Sequence, residues 1–97
     1  MSVYSLGIWI VKPGREGDFV EAWREMADWT TREMTGGEKG TLLRDREQPN
    51  RFVSFGPWDS VEAITAWRAH PGFRERVGKL REMLDDFSPT TLDDVST

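Results

Sequence analysis

Residues 3–11, Val-Tyr-Ser-Leu-Gly-Ile-Trp-Ile-Val, alternate between two sets of positions. Tyr4, Leu6, Ile8 and Ile10 share one face of a strand; Ser5, Gly7, Trp9 and Val11 share the other. Apolar residues on both faces predict a central strand covered on both sides. Lys12-Pro13-Gly14 stops it. From about residue 15 to 33 the period becomes 3.6, with Phe19, Trp23, Met26, Ala27 and Thr30 on one stripe and Trp29 at its edge. Asp28 and Arg32 stand at i,i+4 spacing on the polar side, and Gly36-Gly37 ends the helix. Residues 40–45 and 51–58 read as two strands joined by Arg46-Glu47-Gln48-Pro49-Asn50, an antiparallel hairpin. On the second of these strands Val53 and Phe55 oppose Phe52, Ser54, Gly56 and Trp58.

Asp59 or Ser60 caps the next helix, with Glu62 at capping-box spacing from Asp59. Ile64 and Trp67 share its buried side, and His70-Pro71-Gly72 breaks it. A further helix over residues 73–84 carries Phe73, Val77, Leu80 and Leu84 on one stripe. Ser88-Pro89 resets the chain, and residues 90–95 form a weak final strand, because Asp93-Asp94 is unusual within a sheet. The order β-α-β-β-α(α)-β predicts one α+β domain over residues 1–97. It is the ferredoxin-like βαββαβ arrangement, an antiparallel sheet with helices on one face. The face carrying Leu6, Ile8 and Ile10 is then bare, and a homodimer packing sheet against sheet covers it.

Composition narrows the function classes. A chain of 97 residues has room for one domain. Its formal charge of −4 argues against a nucleic-acid partner, which would call for cations to neutralise phosphates. The absence of cysteine excludes a disulfide framework, a CxxC redox pair and a thiolate zinc site. His70 is the single histidine, so HExxH and His-cluster metal sites are excluded too, and no metal is expected. The longest apolar run, around residues 6–11, is far short of the roughly 18 residues of a membrane span. No basic segment precedes an apolar one at the N-terminus, so the expected setting is the cytoplasm.

Few short motifs carry chemistry. Gly36-Gly37-Glu38-Lys39-Gly40-Thr41 contains phosphate-loop letters in the wrong order and leads into a strand, which leaves a plain loop. The pairs Asp85-Asp86 and Asp93-Asp94 cannot each converge on a cation from a strand, where neighbours point to opposite faces. Arg44, Arg46 and Arg51 cluster at the hairpin, but Asp45 and Glu47 beside them make a mixed surface. His70 is either a helix-end residue or an acid–base group beside a pocket. The five tryptophans are the heavier signal. Trp23 reads as core. Trp9 shares a strand face with Gly7, where a missing side chain leaves room for something to approach. Trp67 precedes a helix break, with Phe73 six residues on, and is either core or the wall of a flat cavity.

The run Val11-Lys12-Pro13-Gly14-Arg15-Glu16-Gly17-Asp18-Phe19 resembles the first strand-to-helix turn of antibiotic biosynthesis monooxygenase domains. Phe55-Gly56-Pro57-Trp58-Asp59-Ser60-Val61-Glu62-Ala63, followed by Ala66-Trp67-Arg68-Ala69-His70-Pro71-Gly72-Phe73, resembles their third strand and second helix. The resemblance implies a subunit that dimerises through its sheet into a dimeric α+β barrel, with a pocket between helices and sheet. It also implies oxidation of quinols or aromatic polyketides by O₂ without metal or flavin. Trp67 and Phe73 match a family Trp followed six residues later by an aromatic, usually Tyr. Ala63 stands where polyketide oxygenases place an Asn, and Gly7 near a first-strand Asn of haem-degrading relatives. Val77 stands where those relatives place an axial His, which excludes haem ligation there.

Two functions follow as expectations. One is a cofactor-independent monooxygenase that binds an aromatic quinol or polyketide-type substrate on Trp9, Gly7, Trp67 and Phe73, with His70 as the nearby base. The other is a non-catalytic dimeric binding protein that uses the same aromatic pocket.

Overall fold

A computed structural model describes residues 2–96. The elements in chain order are β1 (Val3–Val11), α1 (Glu16–Glu33), β2 (Thr41–Arg44), β3 (Arg51–Trp58), α2 (Val61–Ala69), α3 (Pro71–Arg81) and β4 (Leu84–Asp93). The four strands form one antiparallel sheet in the order β2-β3-β1-β4, so β1 is central as its two apolar faces require. This is the ferredoxin-like α+β arrangement. Along β1 the burial alternates strictly. Val3, Ser5, Gly7, Trp9 and Val11 are buried under the helices, and Tyr4, Leu6, Ile8 and Ile10 are half-exposed on the other face.

Local chemistry fixes the element ends. Gly14 takes φ +92° in the turn after β1, where a side chain would be strained. No side chain caps α1 at Arg15; instead the Glu16 carboxylate accepts the Gly14 N–H at 2.7 Å. Of the two expected caps of α2, Ser60 is the one used: its Oγ accepts the Ala63 N–H at 3.1 Å. Arg32 pairs with the adjacent Glu33, not with Asp28.

The C-terminal third departs from the sequence reading. The last helix ends at Arg81 and β4 begins at Leu84, so Ser88-Pro89 lies inside a strand and does not reset the chain. β4 is an edge strand, where a proline can turn its missing N–H toward solvent. It pairs with β1 along nearly its whole length, with one irregularity between Ile10 and Val11. Trp29 also departs: it is buried, not at a helix edge, because α3 crosses α1 there and brings Gly72 against its ring.

Candidate functional site

The register of the sheet creates a low floor. On the helix side, bulky Trp9 lies beside Phe52 and Phe87, and Val3 lies beside Trp58. Between these rows Ser5 faces Gly56 and Gly7 faces Ser54. These four small residues on two central strands all line a space beneath the helices, although the Gly40 backbone closes over Gly56 and the Trp9 indole over Gly7. The buried apolar residues accordingly form two clusters. One holds Trp9, Val11, Phe19, Trp23, Met26, Ala27, Phe52, Val77, Leu80 and Leu84; the other holds Val3, Trp58 and Ile64. A cavity of about 240 Å³ has walls drawn from both.

All four residues expected to bind an aromatic molecule, Trp9, Gly7, Trp67 and Phe73, line this cavity. Trp67 lies between Trp58, with ring centroids 4.9 Å apart, and Phe73, at 4.5 Å. Across the cavity Trp9 stacks on Phe87 at 4.0 Å, with ring planes 18° apart. Gly7 has a specific job: a Cβ there would meet the Trp9 indole nitrogen at 3.0 Å and the Ser54 hydroxyl at 3.1 Å. Its missing side chain lets the indole fold back over the strand.

Three indole N–H groups are satisfied within the fold. Trp9 donates to Ser54 Oγ at 2.9 Å, Trp58 to Ser5 Oγ at 3.1 Å, and Trp67 to Thr30 Oγ1 at 3.0 Å. The Thr30 hydroxyl in turn donates to the Met26 carbonyl at 2.8 Å. Ser5 and Ser54 only accept, so each keeps a hydroxyl proton to offer to a molecule in the cavity.

His70 is not among the residues that line the cavity. It joins α2 to α3, is exposed, and accepts the Gly72 N–H on Nδ1 at 2.9 Å, which caps α3. Its ring meets Trp29 edge-on at 5.0 Å. The geometry thus gives His70 the helix-end place, and as an acceptor cap rather than a cation at terminal carbonyls. The hairpin arginines stay on the surface: Arg51 pairs with Asp45 at 3.2 Å, and Arg44 lies over Phe52 at 5.3 Å. No group of three or more His, Cys, Asp or Glu among the described residues could hold a metal ion, and no helix among them is long and apolar enough to cross a membrane.

Several wall residues had no signal of their own in the sequence reading. Trp23 and Met26 are core by periodicity and cavity wall as well. Ser5 and Ser54 were detectable only as polar residues at inward positions. Arg68, beside Trp67, carried no pattern; it lines the cavity, and burial pushes its pKa down.

The profile of the antibiotic biosynthesis monooxygenase family matches residues 6–79. The chain belongs to that family. The matched stretch runs from β1 to α3 and includes every wall residue named above except Ser5 and Phe87. Among solved structures, SnoaB, a cofactor-independent oxygenase from Streptomyces nogalater, superposes with a TM-score of 0.89 at 24% identity, covering 99% of this chain and 95% of that one. A variant of SnoaB with one Asn replaced by Ala gives 0.88 at 23%, with the same coverage. A conserved protein from Methanosarcina mazei gives 0.83 at 16%, covering 94% of this chain and 90% of that one. A search of curated proteins gave no match.

Proposed function

We propose that this family member is a cofactor-independent monooxygenase acting on an aromatic quinol or polyketide-type phenol. The observation that carries the reading is the convergence of Trp9, Gly7, Trp67 and Phe73 on one mostly apolar cavity, open to solvent on one side. The planes of Trp67 and Phe73 are 57° apart, so a flat substrate stacks on Trp67 while Phe73 closes its edge. An ionised phenol is electron-rich enough to pass an electron to O₂ itself. The protein's share is to orient it, exclude water and stabilise developing charge. The hydroxyl protons of Ser5 and Ser54 are placed to donate to substrate oxygens. His70 caps α3 in this reading and takes no proton from the substrate. The expected setting is cytoplasmic, with a second copy on the bare sheet face.

Anthrone makes the chemistry explicit: anthrone and O₂ give anthraquinone and water, one O₂ for each quinone formed. Oxygen uptake and quinone formation, followed together against a substrate-only control, test the proposal. Uptake above the control at one O₂ per quinone supports it. Rates equal to the control across a panel of anthrones and quinols reject it.

The makeup of the wall favours a second reading. Its only carboxylate is Glu38, which is exposed, and it holds no histidine. A binding protein without turnover needs no base. Saturable quenching of tryptophan fluorescence by those compounds, without oxygen uptake, would assign that role.

A further inference from the structure

Arg68 is a cation without a counter-ion on an apolar wall. It follows Trp67 on α2 and reaches across to β4, where one Nη donates to Thr91 Oγ1 at 2.9 Å and the other to the Thr90 carbonyl at 2.9 Å. Both acceptors are neutral. The ion pairs among the described residues lie elsewhere, and none includes Arg68. A guanidinium carries five N–H donors, so several remain unspent. Arg68 is half-buried, and burial pushes its pKa down with nothing opposing it. A partly desolvated cation whose protein partners are all neutral is a favourable place for an anion. The other charged groups of the wall are Arg81, at the end of α3, and Glu38, before β2. Two of the three charged wall residues are therefore cations, although the chain as a whole carries −4.

We propose that the aromatic ligand of the cavity carries an anionic oxygen group, a carboxylate or an ionised phenol, and that Arg68 is its counter-ion. This rests on the cavity being an aromatic-binding site, and it names the class of ligand that site selects. Arg68 then does two things. It orients the ring by one edge, because its own position is fixed by Thr90 and Thr91. It also favours the ionised phenol over the neutral one, the form that can give an electron to O₂. The cavity thus needs no strong base in its wall, since a counter-ion lowers the pKa of the bound phenol.

Calorimetric titration of the full chain with 2-naphthoate and 2-naphthamide tests the charge with shape held nearly constant. Naphthoate should bind about tenfold more tightly or better, and Arg68→Gln should bring the ratio to within about twofold. Arg68→Lys should restore part of it. A merely structural tie between α2 and β4 would not move this ratio. In parallel, alizarin reports its own ionisation by colour. Bound to the protein it should show the anion spectrum at a pH where free alizarin is neutral, and Arg68→Gln should abolish this. Naphthoate preference without the colour shift assigns a carboxylate; the shift without the preference assigns an ionised phenol; either supports the proposal. Equal binding of naphthoate and naphthamide with no shift overturns it and leaves the aromatic cavity standing. A preference that persists in Arg68→Gln overturns Arg68 as the counter-ion. Failure of all three compounds to bind overturns the cavity reading as well. If Arg68→Gln does not fold, the comparisons on the unaltered chain and on Arg68→Lys decide.

Discussion

At the scale of single residues, the site depends on what is missing as much as on what is present. Gly7 leaves the space into which the Trp9 indole folds, and that indole then reaches Ser54. Gly7→Val should therefore displace Trp9 and fill the cavity floor. We expect a loss of about 1–3 kcal/mol in stability by urea unfolding, as for other overpacked cores. Affinity for an aromatic ligand should fall by about tenfold or more in fluorescence titration. His70→Ala removes the acceptor that caps α3 and nothing that lines the cavity. It should cost about 0.5–1 kcal/mol, the lower range for a lost cap, and leave oxygen uptake with anthrone unchanged. A large drop in uptake with stability intact would return His70 to the chemistry. Trp9, Gly7, Trp67 and Phe73 are legible in the sequence as candidate cavity residues because aromatic residues and a glycine on patterned faces are visible one by one. Ser5 and Ser54 were not visible as site residues, since only the pairing of β1 with β3 places them on the same low floor.

At the scale of elements, most strands and helices were legible, including the edge strand β2, and β4 was not. β1 and β3 have the bounds their alternation predicts, because one face of each must be apolar. β4 is open along one edge, and most of its residues from Asp85 to Asp93 are exposed, so no hydrophobic alternation marks it. Leu84 continued the spacing of Leu80 and so read as helix; it is buried in either conformation, and the pattern could not tell the two apart. Trp29 was misread for a related reason. The stripe of a helix shows its face toward the sheet but not the second helix that crosses it. At that crossing Gly72 lies against the Trp29 ring, and Arg76 stacks over the same ring at 4.7 Å while pairing with Glu25 at 3.0 Å. A Cβ on Gly72 would overlap the ring. Gly72→Ala should thus push α3 off α1 and cost about 1–3 kcal/mol in urea unfolding, against a change near zero if the helices can separate freely. The β2–β3 hairpin carries a pH dependence. Asp45 accepts the N–H groups of Glu47 and Gln48 and pairs with Arg51, and these bonds hold its pKa below the ordinary carboxylate range. A carboxylate with a depressed folded pKa adds stability above its unfolded pKa and loses it as pH falls through the folded one. The gap in thermal midpoint between the natural chain and Asp45→Asn should be widest near neutral pH and close in acid. A gap independent of pH would contradict this.

At the scale of the whole molecule, one side of the sheet is finished and the other is not. The helices bury Trp9, Phe52 and Trp58, while Leu6, Ile8, Val53 and Phe55 are only half-covered and Leu43 and Leu92 are 52% and 43% exposed. These side chains lie on adjacent strands in register, so they form a continuous apolar face larger than isolated exposed residues would give. Sedimentation equilibrium should give twice the 11.2 kDa chain mass, and Val53→Glu, in the middle of that face, should shift it toward the single chain. A monomer at all concentrations would leave the face unexplained. On the other side of the sheet, the proposed function seats an aromatic molecule between sheet and helices against Trp67. The most direct measurement is a set of nuclear Overhauser contacts between anthraquinone, an unreactive product of the proposed chemistry, and the labelled protein. Contacts to the ring protons of Trp9, Trp67 and Phe73 are the predicted result. Contacts confined to the outer sheet face, or to the surface groove beside Arg24, Lys39 and Arg44, would contradict it.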